Sequence, residues 1–77
     1  MGAIIVPGQK VLGIVIELKD GTHVLKEVLR GSEGECLAKN EQFETGELNI
    51  EKVDGSVQSY TALVDATEWD AIKRLRV

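Results

Sequence analysis

The clearest pattern in the chain is an alternation of apolar residues within the segment 11–18. One face of this segment carries four apolar side chains: Leu12, Ile14, Ile16 and Leu18. Alternation of this kind is typical of a β-strand, because successive side chains of a strand point to opposite faces. Val11 and Val15 make the other face apolar as well. The pattern predicts a strand that is covered on both sides or lies at the centre of a sheet.

An Asp-Gly dipeptide at 20–21 follows this strand and predicts a tight β-hairpin. The favoured type I′ turn has two central residues, and both take positive φ. Such a turn pairs Leu12 with Leu29, which is a favourable apolar contact. The same register sets Ile14 against Glu27, which is not. The hairpin is therefore predicted with one unsatisfactory pair.

The segment 23–31 consequently keeps two interpretations. As the second arm of the hairpin it is a strand. Its apolar residues also recur at helical spacing, with Thr22 placed to cap the start of a helix and Gly31 to end it. The first interpretation gives a mainly β fold, a small antiparallel meander or partly closed barrel of about five or six strands with a short C-terminal helix. The second gives an α+β fold with an extra helix near 23–31.

The middle of the chain has weaker patterns. They predict in order a loop at 31–35, a strand of mixed polarity at 36–43, a turn at 44–47, a strand at 48–53, an Asp-Gly hairpin turn at 53–56 and a returning strand at 57–64. A short apolar run at 3–6 precedes the turn-forming pair Pro7-Gly8.

The C-terminal segment predicts a short helix capped by Thr67. Acidic residues occupy its first turn and basic residues, including Arg76, its last turn, which suits the helix dipole. Trp69, Ile72 and Leu75 form one narrow apolar stripe. A helix this short is stable only when it packs, either on its own sheet or on another subunit.

The sequence does not decide whether this stripe packs on the chain's own sheet or on another subunit. Tryptophan and arginine are enriched at the energetic centres of protein interfaces. The candidate interaction residues are Trp69, Ile72, Arg74 and Leu75 of the tail, with Tyr60 of the last strand.

The 77 residues correspond to one small domain spanning 1–77. A domain of this size buries only ~60% of the surface that its unfolded chain exposes. The single cysteine forms no intrachain disulfide, and the sequence lacks the cluster of cysteines and histidines that holds a structural zinc ion. We therefore expect a homo-oligomer, a dimer or higher, in which another copy supplies additional burial.

The net charge of −4 makes the chain a poor match for a phosphate backbone, which argues against a nucleic-acid partner. The N-terminal apolar run lacks a preceding basic segment, and no apolar run is long enough to span a bilayer. We expect a cytoplasmic protein that does not associate with membranes.

Residues with catalytic chemistry are few. His23 and Cys36 are the single histidine and cysteine, and no local motif joins them into a catalytic pair. Glu41, Glu44 and Glu47 recur every three residues but lack the glycine-punctuated spacing of a calcium loop. We predict no catalytic residues, no cofactor and no metal.

The sequence thus favours a non-enzymatic accessory protein that self-associates and acts by binding a partner protein. The alternative is a small-molecule-binding domain with a pocket between sheet and helix or between subunits. Its polar groups would come from Glu27, Tyr60 or Arg74.

Overall fold

The segment that is apolar on both sides forms the central strand of an antiparallel sheet. A computed structural model describes residues 8–50 and 52–75. These residues form, in chain order, β1 (Lys10–Leu18), β2 (His23–Gly31), α1 (Glu33–Glu44), β3 (Ser56–Asp65) and α2 (Ala66–Leu75). The strand order is β2-β1-β3, and both outer strands run antiparallel to β1. The described chain is therefore α+β with a three-stranded open sheet, and the prediction of five or six strands in a meander or barrel is wrong.

The two helices lie on opposite faces of this sheet. Thr61 of β3 pairs with Ile14 and donates its hydroxyl hydrogen bond to Asn40 of α1 at 2.6 Å. Trp69 of α2 instead lies against Gly13, the neighbour of Ile14 in β1. Because successive strand residues point to opposite faces, α1 covers one face and α2 the other. We call these the α1 face and the α2 face.

The first hairpin forms at the predicted place, but its turn differs from the prediction. The amide of Gly21 donates to the carbonyl of Leu18 at 3.0 Å, and the amide of Leu18 donates to Thr22 at 2.8 Å. Gly21 has a φ of 88°, while no non-glycine residue in the described ranges has positive φ. The connection is therefore a three-residue loop ending in a left-handed glycine, not a type I′ turn. Asp20 stabilises it by accepting hydrogen bonds from the amide and hydroxyl of Thr22.

The longer turn shifts the hairpin register and removes the unsatisfactory pair. Glu27 lies opposite Gly13 instead of Ile14. An irregularity in the ladder between Leu12 and Gly13 then restores the predicted pair of Leu12 with Leu29. β2 is therefore a strand, as the hairpin interpretation predicts. The alternative fold class, α+β, is confirmed, but its extra helix lies at Glu33–Glu44 and not near 23–31.

Helix α1 lies where a loop and a strand of mixed polarity were predicted, so both of those predictions are wrong. Ser32 caps the helix by accepting a hydrogen bond from the amide of Glu35 at 3.2 Å, and its hydroxyl donates to the Glu35 carboxylate at 3.1 Å. Ser32-Glu33-Gly34-Glu35 is thus a capping-box sequence. The glycines at 31 and 34 gave this segment the composition of a loop. Cys36 is fully buried under the sheet, as expected for a small apolar side chain.

The second Asp-Gly turn also forms, but it does not join two paired strands. Ser56 donates its amide hydrogen to the carbonyl of Val53 at 3.0 Å, and Gly55 has a φ of 85°. Residues 48–50 and 52–53 are not strand, so the prediction for 48–53 is wrong. β3, predicted as the returning strand at 57–64, pairs with β1 instead. The predicted apolar run at 3–6 lies outside the described residues.

The C-terminal helix is confirmed, with a small change at its start. α2 begins at Ala66, so Thr67 belongs to its first turn and is not its cap. The amide of Ala66 donates to the carbonyl of Gln9 at 3.2 Å, which fixes the start of α2 beside the start of β1. Lys73 and Arg74 occupy the last turn, as predicted, and Arg76 lies outside the described residues.

Replacing Gly13 with alanine is expected to destabilise the fold. A Cβ at this position would lie within 2.9 Å of three carbons of the Trp69 ring. We expect Gly13→Ala to lower the free energy of unfolding by roughly 1–3 kcal/mol, since overpacking forces side chains and backbone to shift. Urea unfolding followed by tryptophan fluorescence measures the change.

Gly34→Ala is the matched control for this substitution. A Cβ at Gly34 meets no atom within 4 Å, and the residue lies in α1, where alanine is the better helix former. We expect this variant to be as stable as the wild type or more so. Equal stability of both variants would contradict the close contact between Gly13 and the indole ring.

Candidate functional site

Trp69 anchors α2 to the sheet of its own chain. The side chain is 1% exposed and packs in a cluster with Val11 and Ala66, flanked by Leu25 and Val64. Its Nε1 is buried and forms no hydrogen bond within the described residues, so apolar packing holds the ring. Of the two sequence-level alternatives, packing on the chain's own sheet therefore describes this residue. The ring offers no surface to a partner.

A charged cluster ties α2 to the outer strand β2. Arg30 Nη2 lies 2.8 Å from Asp70 Oδ1 and 2.8 Å from Glu27 Oε1. The hydrogen bond from Arg30 lowers the pKa of Asp70 and that of Glu27, and the two carboxylates raise the pKa of Arg30. Glu27, which the sequence offered as a ligand-binding group, is therefore engaged in holding the helix. Residues 30 and 70 are far apart in sequence, so no local signal predicted the contact.

The remaining candidate residues are exposed on one side of the molecule. Ile72 is 37% exposed and Leu75 is 85% exposed, so the predicted stripe of α2 is buried only at Trp69. Tyr60 is 42% exposed and pairs with Val15, which places it on the α2 face. Arg74 is exposed in the last turn of α2. We call Tyr60, Ile72, Arg74 and Leu75 the α2 surface.

The two outer strands differ in the chemistry of their edges. Within the described residues, no strand pairs with the outer edge of either β2 or β3. β2 carries three charged side chains, Lys26, Glu27 and Arg30. β3 has ten residues, and Asp65 at its end is the charged one. The uncharged run 56–64 is visible in the sequence, but only the strand order shows that it forms an edge.

A groove of about 700 Å³ lies beside the start of β3. Its lining comes from the end of α1, the following loop and the first residues of the strand: Phe43, Gly46, Leu48, Asn49, Ile50, Lys52, Ser56, Val57, Gln58 and Ser59. None of the polar groups proposed for a ligand, Glu27, Tyr60 and Arg74, belongs to this lining. The structure thus has a cavity between sheet and helix, but not one built from the predicted residues.

The residues with catalytic or metal-binding chemistry are not brought together. Cys36 Sγ contacts the carbonyl of Leu29, six residues along β2 from His23. Six residues of extended chain span ~20 Å, so cysteine and histidine are at opposite ends of the strand. A smaller cavity of about 240 Å³ has Glu41 and Glu47 in its lining. In residues 8–50 and 52–75, no group of three or more acidic, histidine or cysteine side chains could hold a metal ion.

No protein family, curated protein or solved structure matches this chain. Among the described helices, none has both the length and the apolar character to cross a bilayer.

The Arg30 cluster predicts a dependence of stability on acid. The pKa values of Asp70 and Glu27 are lowered in the folded state from ordinary values of 3.8 and 4.5. The unfolded chain therefore binds more protons, and the stabilisation is complete above pH 5 and is lost as the pH falls through the folded-state pKa values. Thermal unfolding between pH 7 and pH 3 should show this loss.

The double variant Glu27→Gln/Asp70→Asn should have a shallower decline over the same pH range. Neutral amides keep similar shape but carry no proton-linked charge. The control is Glu44→Gln, an exposed residue at the end of α1. A double variant with the same acid profile as the wild type would show that the cluster does not stabilise the fold.

Proposed function

We propose that this chain is a small, non-enzymatic accessory protein of the cytoplasm that self-associates and acts by binding a partner protein. The observation that carries the proposal is the α2 surface, where Tyr60, Ile72 and Leu75 expose apolar side chains on the same side of the sheet. Single exposed apolar residues are common, and here three of them lie on the same side of the sheet as the exposed Arg74, which makes this side the candidate binding surface.

The anchoring of α2 supports this use of its outer side. Trp69 and Arg30 hold the helix to the sheet from below and from the side of β2. The exposed residues Ile72 and Leu75 therefore sit on a helix whose position is already determined. A preorganised surface binds with a smaller loss of conformational entropy than a mobile one.

The alternative function, binding of a small molecule, is supported by the groove beside β3. Its volume of about 700 Å³ lies within the range of ligand pockets. Lys52 is the charged residue in its lining, so an anionic or polar ligand would suit it. A thermal-shift screen against metabolites tests this alternative, and a shift of several degrees for one compound class would favour it.

Removing the apolar side chains of α2 should weaken partner binding. Proteins captured from the native host by wild-type chain would be purified and titrated against Ile72→Ser/Leu75→Ser. We expect the dissociation constant to rise by roughly tenfold or more, because the variant loses the apolar burial of two aliphatic side chains, about 1.5–3 kcal/mol for each one fully buried on binding.

The control for this experiment is Leu37→Ser, which removes an exposed apolar residue from α1 on the opposite face; its exposure of 51% lies between those of Ile72 and Leu75. Its dissociation constant should stay within about twofold of wild type. A captured partner that binds all three chains equally would contradict the assignment of the α2 surface.

Self-association predicts that the stability of the protein depends on its concentration. Light scattering at tens of micromolar should give a mass of at least two chains of 8.4 kDa, and the melting temperature should fall on dilution. A mass of one chain at every concentration, with a constant melting temperature, would refute self-association. It would leave partner binding through the α2 surface to be judged by the titration alone.

A further inference from the structure

We propose that a second copy of this chain adds its β3 to the outer edge of β3, antiparallel, so that two three-stranded sheets form one sheet of six strands. The inference rests on the proposed self-association and names the surface that carries it. Strand addition satisfies the amide and carbonyl groups that an edge strand leaves unpaired.

The contrast between the two edges identifies β3 as the strand that pairs. Natural edge strands are commonly protected by charged side chains, bulges or proline. β2 has the first of these devices, since it carries Lys26, Glu27 and Arg30. β3 has no charged residue or proline before Asp65. Each strand has one irregularity in its register with β1, and in β3 it falls at Val57, so the charged side chains are what distinguish the two edges. One edge is thus blocked by its own chemistry and the other is suited to pairing.

The helices leave this edge accessible. α2 follows β3 directly but crosses the sheet away from it, since Trp69 lies over Gly13 of β1 and Asp70 reaches Arg30 of β2. α1 lies on the other face and contacts β3 through the hydrogen bond from Thr61 to Asn40. Neither helix therefore runs along the outer side of β3.

Charge and closure favour the second copy's β3 over its β2 as the occupant. A β2 strand would bring Lys26 and Glu27 beside the uncharged residues of β3. Pairing of β3 with the second copy's β2 would leave one β2 edge and one β3 edge unpaired, so further copies could add without limit and form a filament. Two β3 strands instead close into a two-fold dimer. Antiparallel pairing further separates the two Asp65 carboxylates, which would lie side by side in a parallel arrangement.

The two-fold axis restricts the register. A two-fold axis that relates two antiparallel strands of one sheet is perpendicular to the sheet, so it keeps each side chain on its own face. Paired residues must therefore share a face, and this requires that one residue pairs with its own copy. Pairing Tyr60 with the second copy's Tyr60 uses residues 58–62 of both strands, the regular stretch of β3 that is symmetric about Tyr60. It joins two half-exposed aromatic rings on the α2 face, a favourable cross-strand pair.

Just beyond this stretch, the second copy's Leu63 comes close to Val57, the residue of β3 that has no partner in β1. Val57 is exposed and lines the groove at the start of β3. Leu63 points to the α1 face, because its partner in β1 is Leu12, and this is the face on which α1 and the groove lie. Strand pairing would therefore cover part of the groove with an apolar side chain.

Hydrogen exchange with a matched pair of lysine variants tests the inference. Gln58 and His23 lie opposite the same residue, Glu17, on the two edges of the sheet. Gln58→Lys and His23→Lys thus give the monomer the same cross-strand ion pair. A lysine on an edge strand opposes strand addition, so only the first should obstruct pairing through β3.

We expect alternate amides of wild-type β3 to exchange at least ~tenfold more slowly at associating concentrations than at dissociating ones, with outer amides of β2 unchanged. Gln58→Lys should raise the dissociation constant of the dimer roughly tenfold, and His23→Lys should leave it within about twofold. A dimer in which β3 amides stay unprotected, or in which both lysines act alike, would overturn the inference while leaving self-association intact. A monomer with protected β3 amides would overturn both the strand pairing and self-association. It would mean that a segment of the same chain covers the outer edge of β3.

Cysteine cross-linking tests the register. Directly paired residues of antiparallel strands have Cα atoms about 4.5–5.5 Å apart, within the span of a disulfide. Tyr60→Cys should oxidise to a covalent dimer under conditions that leave His23→Cys monomeric. The native Cys36 is fully buried and does not compete. Equal cross-linking of both variants, or none in a Tyr60→Cys protein that still dimerises, would overturn the register.

Discussion

The close contact between Gly13 and the ring of Trp69 determines how this small domain is built. Glycine at the centre of β1 lets the indole lie directly on the strand backbone. The ring packs with Val11 and against Leu25 and Val64, and it is the largest fully buried side chain among the described residues. A short helix is stable only when it packs, and this contact supplies the packing that α2 needs.

Other features of α2 follow from this contact. With the ring over the middle of the sheet, the next residue, Asp70, reaches Arg30 on the far strand. The same placement draws α2 away from β3 and leaves Ile72 and Leu75 on the outside. The exposed surface of α2 and the accessible edge of β3 are thus both consequences of where the Trp69 ring packs.

The elements with strong local patterns were predictable. The alternation of β1, the two Asp-Gly turns, β3 and the C-terminal helix all follow from side-chain periodicity or turn chemistry. Helix α1 was not, because only Cys36 is buried along it and its apolar residues form no clear stripe. Its capping box, Ser32 to Glu35, was present as a signal but was outweighed by the neighbouring glycines. Of the candidate interaction residues, four are exposed on the α2 side and Trp69 is not.

The sequence by itself determined the strands β1 and β3, where the two Asp-Gly turns lie, and that the tail is an amphipathic helix. These properties depend on residues within a few positions of one another. The order of the strands, the asymmetry of the two edges and the burial of Trp69 were decided only by the tertiary structure. They depend on which distant segments meet, as when Arg30 contacts Asp70 or β3 pairs with β1 instead of the segment before it. Local periodicity carries no record of such partners, because several pairings bury the same apolar faces equally well.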